Sequence, residues 1–283
     1  MKNEVLNENI VENLKLQANQ IRCSILDMIT DAQVGHIGGS FSITDILTAL
    51  YFHILNIDPK NPDWTDRDRL ILSKGHGATA LYSALALRGY FPRAKLKTFG
   101  FINSDLQVHP DKNKVPGVEA STGALGQGLS IGAGVAFAAK IDNKSYRTYV
   151  ILGDGEVQEG QVWEAAMFCA HYRLDNITAI LDYNNVQLMG NVPDIMDIAP
   201  VKDKWEAFGW KTLEIDGHDI EQIISACSHA KNIKDAPTII IAKTIKGKGV
   251  SFMQSTCDWH GKVPCKEEYD NAVSELVEPV QKK

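Results

Sequence analysis

From residue 146 onward, short β-branched runs alternate with stretches of helical spacing, and few architectures accept that rhythm. The runs are Tyr146–Leu152, Ile177–Leu181, Lys211–Ile215 and Thr238–Lys243, with helical patterns at 160–172, 201–208 and 219–232 between them. Strands joined through helices run parallel, and the crossovers cover both faces of the sheet. The expected fold is therefore α/β, an open, mostly parallel sheet with helices on both faces. Arg69–Ser73 adds a strand, and Ile10, Leu14, Ala18, Ile21, Ile25 and Ile29 predict an amphipathic helix over 8–29. Gly35, Gly38 and Gly39 predict a loop, residues 43–55 a helix ended by Asp58-Pro59, and Ala78–Leu87 another helix. Between Leu125 and Lys140 the chain is small and apolar, which suits either a tightly packed core helix or a subunit interface.

The 283 residues, 44% hydrophobic, suffice for one large domain, and no repeat, low-complexity tract or linker divides them. We expect one domain over 1–283, with a C-terminal extension from residue 265. Acids and bases are interspersed for a net charge of −6, a balance that points to neither nucleic acid nor a membrane surface as partner. Met1–Leu14 is polar, without the apolar run of a signal peptide, and no stretch approaches the roughly 18 apolar residues of a membrane span. Five scattered cysteines suggest a reducing cytoplasm rather than a disulfide framework. Cys257, His260 and Cys265 lie close in sequence but lack the second paired spacing that zinc requires.

In a parallel sheet, ligands bind at the carboxyl ends of the strands. The run ending at Leu152 leads into Gly153-Asp154-Gly155, and the next into Asp182-Tyr183-Asn184-Asn185. A carboxylate and a carboxamide thus face one crevice. With a backbone carbonyl near Val186, Asp154 and Asn184 offer the oxygen ligands of Mg²⁺, or of Ca²⁺ or Mn²⁺ in its place, and leave room for a diphosphate. A dinucleotide fingerprint is not met, because Gly123-Ala-Leu-Gly126-Gln-Gly128 follows no convincing strand. Histidines also gather in glycine-rich segments or beside punctuating residues: His36, His76, His109, His218 and His260. Cleaving a ketose between C2 and C3 requires a base and hydrogen-bond donors that work near neutral pH, and imidazole supplies both.

These segments resemble the N-terminal part of transketolases from about residue 15 to 265. They include Gly35-His36, Asp58-Pro-Lys-Asn-Pro-Asp-Trp-Thr-Asp-Arg-Asp-Arg69, Leu72-Ser-Lys-Gly-His-Gly77, Gly117-Val-Glu-Ala-Ser-Thr-Gly-Ala-Leu-Gly-Gln-Gly128, Gly153-Asp-Gly155, Lys246-Gly-Lys-Gly249 and Trp259-His-Gly261. The resemblance implies thiamine diphosphate (ThDP) as cofactor, with Asp154, Asn184 and the Val186 carbonyl on Mg²⁺ and with Gly153 and Gly155 beside them. It implies that His76 and His260 lie beside the diphosphate, and that Gly123, Ala124 and Leu125 lie against the thiazolium and diphosphate. His36 and His260 would serve the donor's C3 hydroxyl and the acceptor aldehyde, and His109 the donor's C1 hydroxyl. Glu159 and Glu164 match acids that link two cofactors by protons, although acids also favour an ordinary helix start. Ile37 and Val108 replace the family's usual proline and glycine, which leaves donor preference open.

A full transketolase also carries a pyrimidine-binding domain, whose glutamate activates the cofactor and whose arginines read the sugar phosphate. The resemblance therefore implies a separate partner subunit in an α₂β₂ assembly. Xylulose 5-phosphate is the default donor, and a sulfonated or branched anionic ketose the alternative. The other readings are the α subunit of a 2-oxo-acid dehydrogenase, which needs no sugar-handling histidines, and a non-catalytic scaffold.

Overall fold

The computed structural model describes residues 8–281. Residues 1–7 of the polar N-terminus and 282–283 of the expected C-terminal extension lie outside the described residues. The chain begins with α1 (Glu8–Ala32), α2 (Ile37–Ser42) and α3 (Thr44–Ala49), the last continuing as a wide turn to Ile54. Then come β1 (Arg69–Leu72), α4 (Ala78–Arg88), α5 (Gln127–Ile141), β2 (Thr148–Gly153), α6 (Gly160–His171) and β3 (Ile177–Tyr183). A small hairpin, β4 (Val186–Gln187) and β5 (Gly190–Asn191), leads into α7 (Val192–Met196) and α8 (Val201–Ala207). The remainder is β6 (Lys211–Asp216), α9 (Ile220–Asn232), β7 (Thr238–Lys243) and α10 (Lys266–Gln281).

The main sheet has the order β1-β2-β3-β7-β6, and every pairing in it is parallel. The two-residue period of a strand divides its side chains between two cores. Leu70, Leu72, Tyr149, Ile151, Ile180 and Ile240 pack with α1, α3, α4 and α9. Ile71, Val150, Leu152, Ala179, Leu181 and Ile241 pack with α5, α6 and α8. Burial on both faces is why these strands read as continuous apolar runs. Because Gly153 pairs with Asp182 and Asp182 with Ala242, the strands end level, and the loops after β1, β2, β3 and β7 leave from one edge.

One expectation changes. Gly38 and Gly39 lie inside α2 rather than in a loop. A Cβ on Gly38 would stand 2.7 Å from the Trp259 carbonyl oxygen, so this glycine marks a close approach rather than a bend. In α5, Gly128 and Gly132 face inward, where a Cβ would meet Ser73 at 2.4 Å and Val150 at 2.5 Å, so core packing accounts for these two, whereas Gly134 and Ala138 are exposed. The C-terminal extension is itself a helix, with Ala272 and Leu276 buried. It is pinned to α1 by Tyr269 donating to Asp27 and Asn19 donating to the Leu276 carbonyl. Among the described residues no helix is long and apolar enough to cross a membrane, and all five cysteines are free thiols.

Candidate active site

At the carboxyl edge of the sheet a cavity of about 380 Å³ opens between the strand ends. His36, His76, His109 and His260, which span 224 positions of sequence, all line it. The His36 ring centroid is 5.3 Å from that of His76, 5.3 Å from that of His260 and 6.2 Å from that of His109. His76 and His260 are also 5.3 Å apart.

Gly153, Asp154, Gly155, Asn184 and Val186 line the same cavity. Asp154 is 3% exposed, and its carboxylate accepts from the Gly155 and Asn185 backbone N–H groups at 2.8 and 2.5 Å. Burial, then the neighbouring Asp182, raise its pKa from 3.8 to about 6. The Asn184 amide is oriented by its neighbours: Nδ2 donates to Asp182 at 3.1 Å, and Oδ1 accepts from the Val186 N–H at 3.0 Å. The Val186 carbonyl accepts from Lys246 Nζ at 3.1 Å. Each of these oxygens keeps a free lone pair, and a buried carboxylate with a raised pKa favours a cation within reach. The donor set of carboxylate, carboxamide and carbonyl oxygen therefore fits a hard divalent ion.

Four residues absent from the expected site hold it together. Lys74 and Asp182, with side chains 3% and 0% exposed, form a buried ion pair at 2.5 Å. Asp182 also accepts from Ser42 at 2.7 Å and from Thr244. Glu156 ties three loops to one carboxylate, accepting from Ser73 Oγ and from the Gly126 and Gly153 N–H groups. Lys246 Nζ stands 3.0 Å from His260 Nδ1. Burial and Lys74 lower the Lys246 pKa to about 8, which leaves it mostly charged at neutral pH. It therefore donates to Nδ1, and the single ring proton of neutral His260 sits on Nε2. Lys74 and Lys246 belong to the Leu72–Gly77 and Lys246–Gly249 segments, and the informative signal was a lysine two or three residues beyond the end of a buried strand.

Other expected residues fall differently. Gly123 and Leu125 line the cavity, but Ala124 is exposed and does not. Glu159 lines its rim, whereas Glu164 sits exposed on α6 away from it. Ile37 is fully buried in the core and Val108 packs against it, so neither side chain reaches the cavity. Cys257, His260 and Cys265 form no ion-holding cluster among the described residues.

Burial and neighbouring positive groups push His36, His76 and His260 below their ordinary 6.5, His260 to about 3. A histidine kept neutral on folding binds a proton in the unfolded chain first, so its contribution to stability falls as pH drops below 6.5 and continues to fall to its folded pKa. Asp154 and Glu156, raised by burial, act in the opposite direction. The His260 effect therefore appears as a difference. Thermal melts of His260→Asn should lose less stability than the wild type between pH 6.5 and 5, and parallel pH profiles would contradict the depressed pKa.

Residues 14–277 match the family described as "Transketolase, thiamine diphosphate binding domain". The chain is 47% identical to the 6-deoxy-6-sulfo-D-fructose transketolase subunit of Clostridium sp. (strain MSTE9), over 93% of this chain and 96% of that one. It is 44% identical to an apulose-4-phosphate transketolase subunit of Phocaeicola vulgatus, over 96% of both. The crystal structure of transketolase from Campylobacter jejuni superposes with a TM-score of 0.89 at 35% identity, over 96% of this chain and 43% of that chain.

Proposed function

Because the chain belongs to the transketolase family and carries its thiamine-diphosphate-binding domain, we propose that it is one subunit of a two-subunit, Mg²⁺-dependent transketolase. It moves a two-carbon ketol unit from an anionic ketose to an aldose. The observation that carries this reading is the meeting of four imidazoles with the Asp154–Asn184 pair in one cavity. Bound ThDP supplies the carbanion chemistry that cleaves the C2–C3 bond.

The residues of the chain divide the remaining work. Asp154, Asn184 and the Val186 carbonyl would hold Mg²⁺, which would bind the cofactor's diphosphate. His260, receiving from Lys246 at Nδ1, presents its Nε2 proton to the diphosphate or to the acceptor's carbonyl oxygen. His36 is the base for the donor's C3 hydroxyl. Its depressed pKa keeps it unprotonated at neutral pH, and its buried Nδ1 has no hydrogen-bond partner among the described residues. His109, exposed at the mouth, holds the C1 hydroxyl, and His76 faces the diphosphate.

The need for a partner is supported by the lengths of the relatives. The chain covers 96% of relatives named as transketolase subunits but only 43% of mouse transketolase. The partner supplies the pyrimidine-binding domain in an α₂β₂ assembly, and it reads the anionic tail of the sugar. Names of these relatives favour a sulfonated or branched ketose beside xylulose 5-phosphate as donor.

The test is reconstitution. With ThDP and Mg²⁺ the isolated chain should transfer no ketol unit. Mixed with a pyrimidine-domain subunit, it should act on one of xylulose 5-phosphate, 6-deoxy-6-sulfofructose or apulose 4-phosphate. Turnover by the chain alone, or none by the pair on any donor, would overturn the proposal.

A further inference from the structure

Outside the cavity, a chain of buried polar groups runs from α1 to the loop after β7. Arg22 donates to both oxygens of Asp45 at 3.1 and 2.6 Å, and to the Phe41 carbonyl at 3.4 Å. Asp45 Oδ2, the oxygen that receives Arg22 at 2.6 Å, also meets His218 Nδ1 at 2.8 Å. His218 Nε2 in turn lies 2.8 Å from the backbone nitrogen of Ile245.

We propose that His218 is a positioning residue for the active site, acting through the peptide that joins Thr244 to Lys246. The proposal rests on reading the cavity as the cofactor site. A backbone N–H can only donate, so the Nε2 facing Ile245 carries no proton. The ring proton is on Nδ1 and is donated to Asp45. Burial would raise the Asp45 pKa, but Arg22 and His218 more than offset it and hold it at about 2, so a charged carboxylate fixes the ring on that side. Both nitrogens of the imidazole are thereby engaged, and its side chain is only 8% exposed.

The amide that this ring holds lies between two residues of the site. Thr244 donates to Asp182, and Lys246 donates to the Val186 carbonyl at 3.1 Å and to His260 at 3.0 Å. The turn carrying His218 fits closely against this loop, since a Cβ on Gly217 would stand 2.5 Å from Thr244 Cγ2. Removing the imidazole orphans the Ile245 N–H and frees its peptide plane to rotate. The tips of Thr244 and Lys246 then move away from Asp182, Val186 and His260.

Three measurements on the chain paired with its partner subunit test this. First, long-range ¹H–¹⁵N NMR of the wild type should show the Nδ1–H tautomer of His218, and an Nε2–H tautomer overturns the proposal whatever the variants do. Second, His218→Ala should weaken ThDP–Mg²⁺ binding, measured by calorimetry, by about 10- to 100-fold, the range typical of outer-shell partners. His218→Gln, whose side-chain oxygen can reach the Ile245 N–H, should recover most of it. Third, His260 should titrate closer to an ordinary histidine in His218→Ala, because Lys246 no longer faces it.

Ile224→Ala, a cavity in α9 outside the network, serves as a stability control. If it weakens cofactor binding as much as His218→Ala at a similar loss of melting temperature, the role of His218 is structural and the proposal fails. It also fails if neither cofactor affinity nor the His260 titration responds to His218→Ala. Should the alanine variant not fold, the glutamine variant and the wild-type tautomer decide. A wild type that binds no ThDP would instead overturn the reading of the cavity, while the tautomer and the His260 titration could still be measured.

Discussion

Replacing Asp154 is expected to abolish Mg²⁺-dependent ThDP binding and to lower ketol transfer in the reconstituted pair by about a hundred- to a thousand-fold, the range for loss of one electrostatic group in a closed site. The carboxylate is the only formal charge among the proposed ligands, and it is 3% exposed. Its pKa, raised to about 6 by burial and Asp182, has a further consequence. An acid whose folded pKa lies above its unfolded value loses folding stability as pH rises through that interval, so at neutral pH the ionised side chain opposes folding. A divalent cation bound to it removes that penalty, which couples cation affinity to pH. Asp154→Asn is the informative substitution, because its remaining side-chain oxygen keeps one of the two backbone N–H partners at Gly155 and Asn185. Asp154→Ala orphans both, at a cost of about 1–3 kcal/mol each. Calorimetry with Mg²⁺ and ThDP, set beside urea unfolding, separates the two effects. An Asn variant with cofactor affinity within a few-fold of the wild type would remove Asp154 from the metal site.

The second large effect is on stability. Lys74→Met should cost about 3–5 kcal/mol, the usual penalty for stranding one member of a buried ion pair. Typical domains have about 5–15 kcal/mol in total, so the urea midpoint should fall steeply. Lys74 donates to Asp182 at 2.5 Å and to the Gly39 carbonyl at 2.9 Å, and methionine preserves its volume without either bond. Asp182 would retain Ser42, Asn184 and Thr244 as donors but no cation. Although burial works to raise its pKa, Lys74 more than compensates and holds it below 3.8. Such an acid contributes stability above its unfolded pKa and loses it on acidification. In the variant the pKa rises, so the deficit against the wild type should narrow as the pH approaches 4. A deficit below about 0.5 kcal/mol at neutral pH, within the range of an ordinary surface substitution, would show that the pair does not stabilise the fold.

Much of the frame was legible in the chain. The strands β2, β3 and β7 begin and end within a few residues of the apolar runs, because burial on both faces leaves a continuous signature, and the half-exposed edge strand β6 also matches its run. Asp154 and Asn184 were legible because parallel strands end at one edge, which puts residues thirty apart side by side. Gly38 was misread, since a glycine required by a neighbouring backbone looks the same in sequence as one required by a turn.

By itself the sequence determined the parallel α/β sheet, the edge at which the cavity opens, and the histidine, carboxylate and carboxamide residues that line it. Periodicity and strand-end position are local properties, written in neighbouring residues. The tertiary structure decided which polar groups are buried together. Lys74 with Asp182, Lys246 with His260, and His218 with Asp45 and Ile245 are pairs whose charge and tautomer depend on distances across the fold. A lysine or histidine acquires its protonation state from burial and from neighbours far away in sequence, so the folded chain alone sets it.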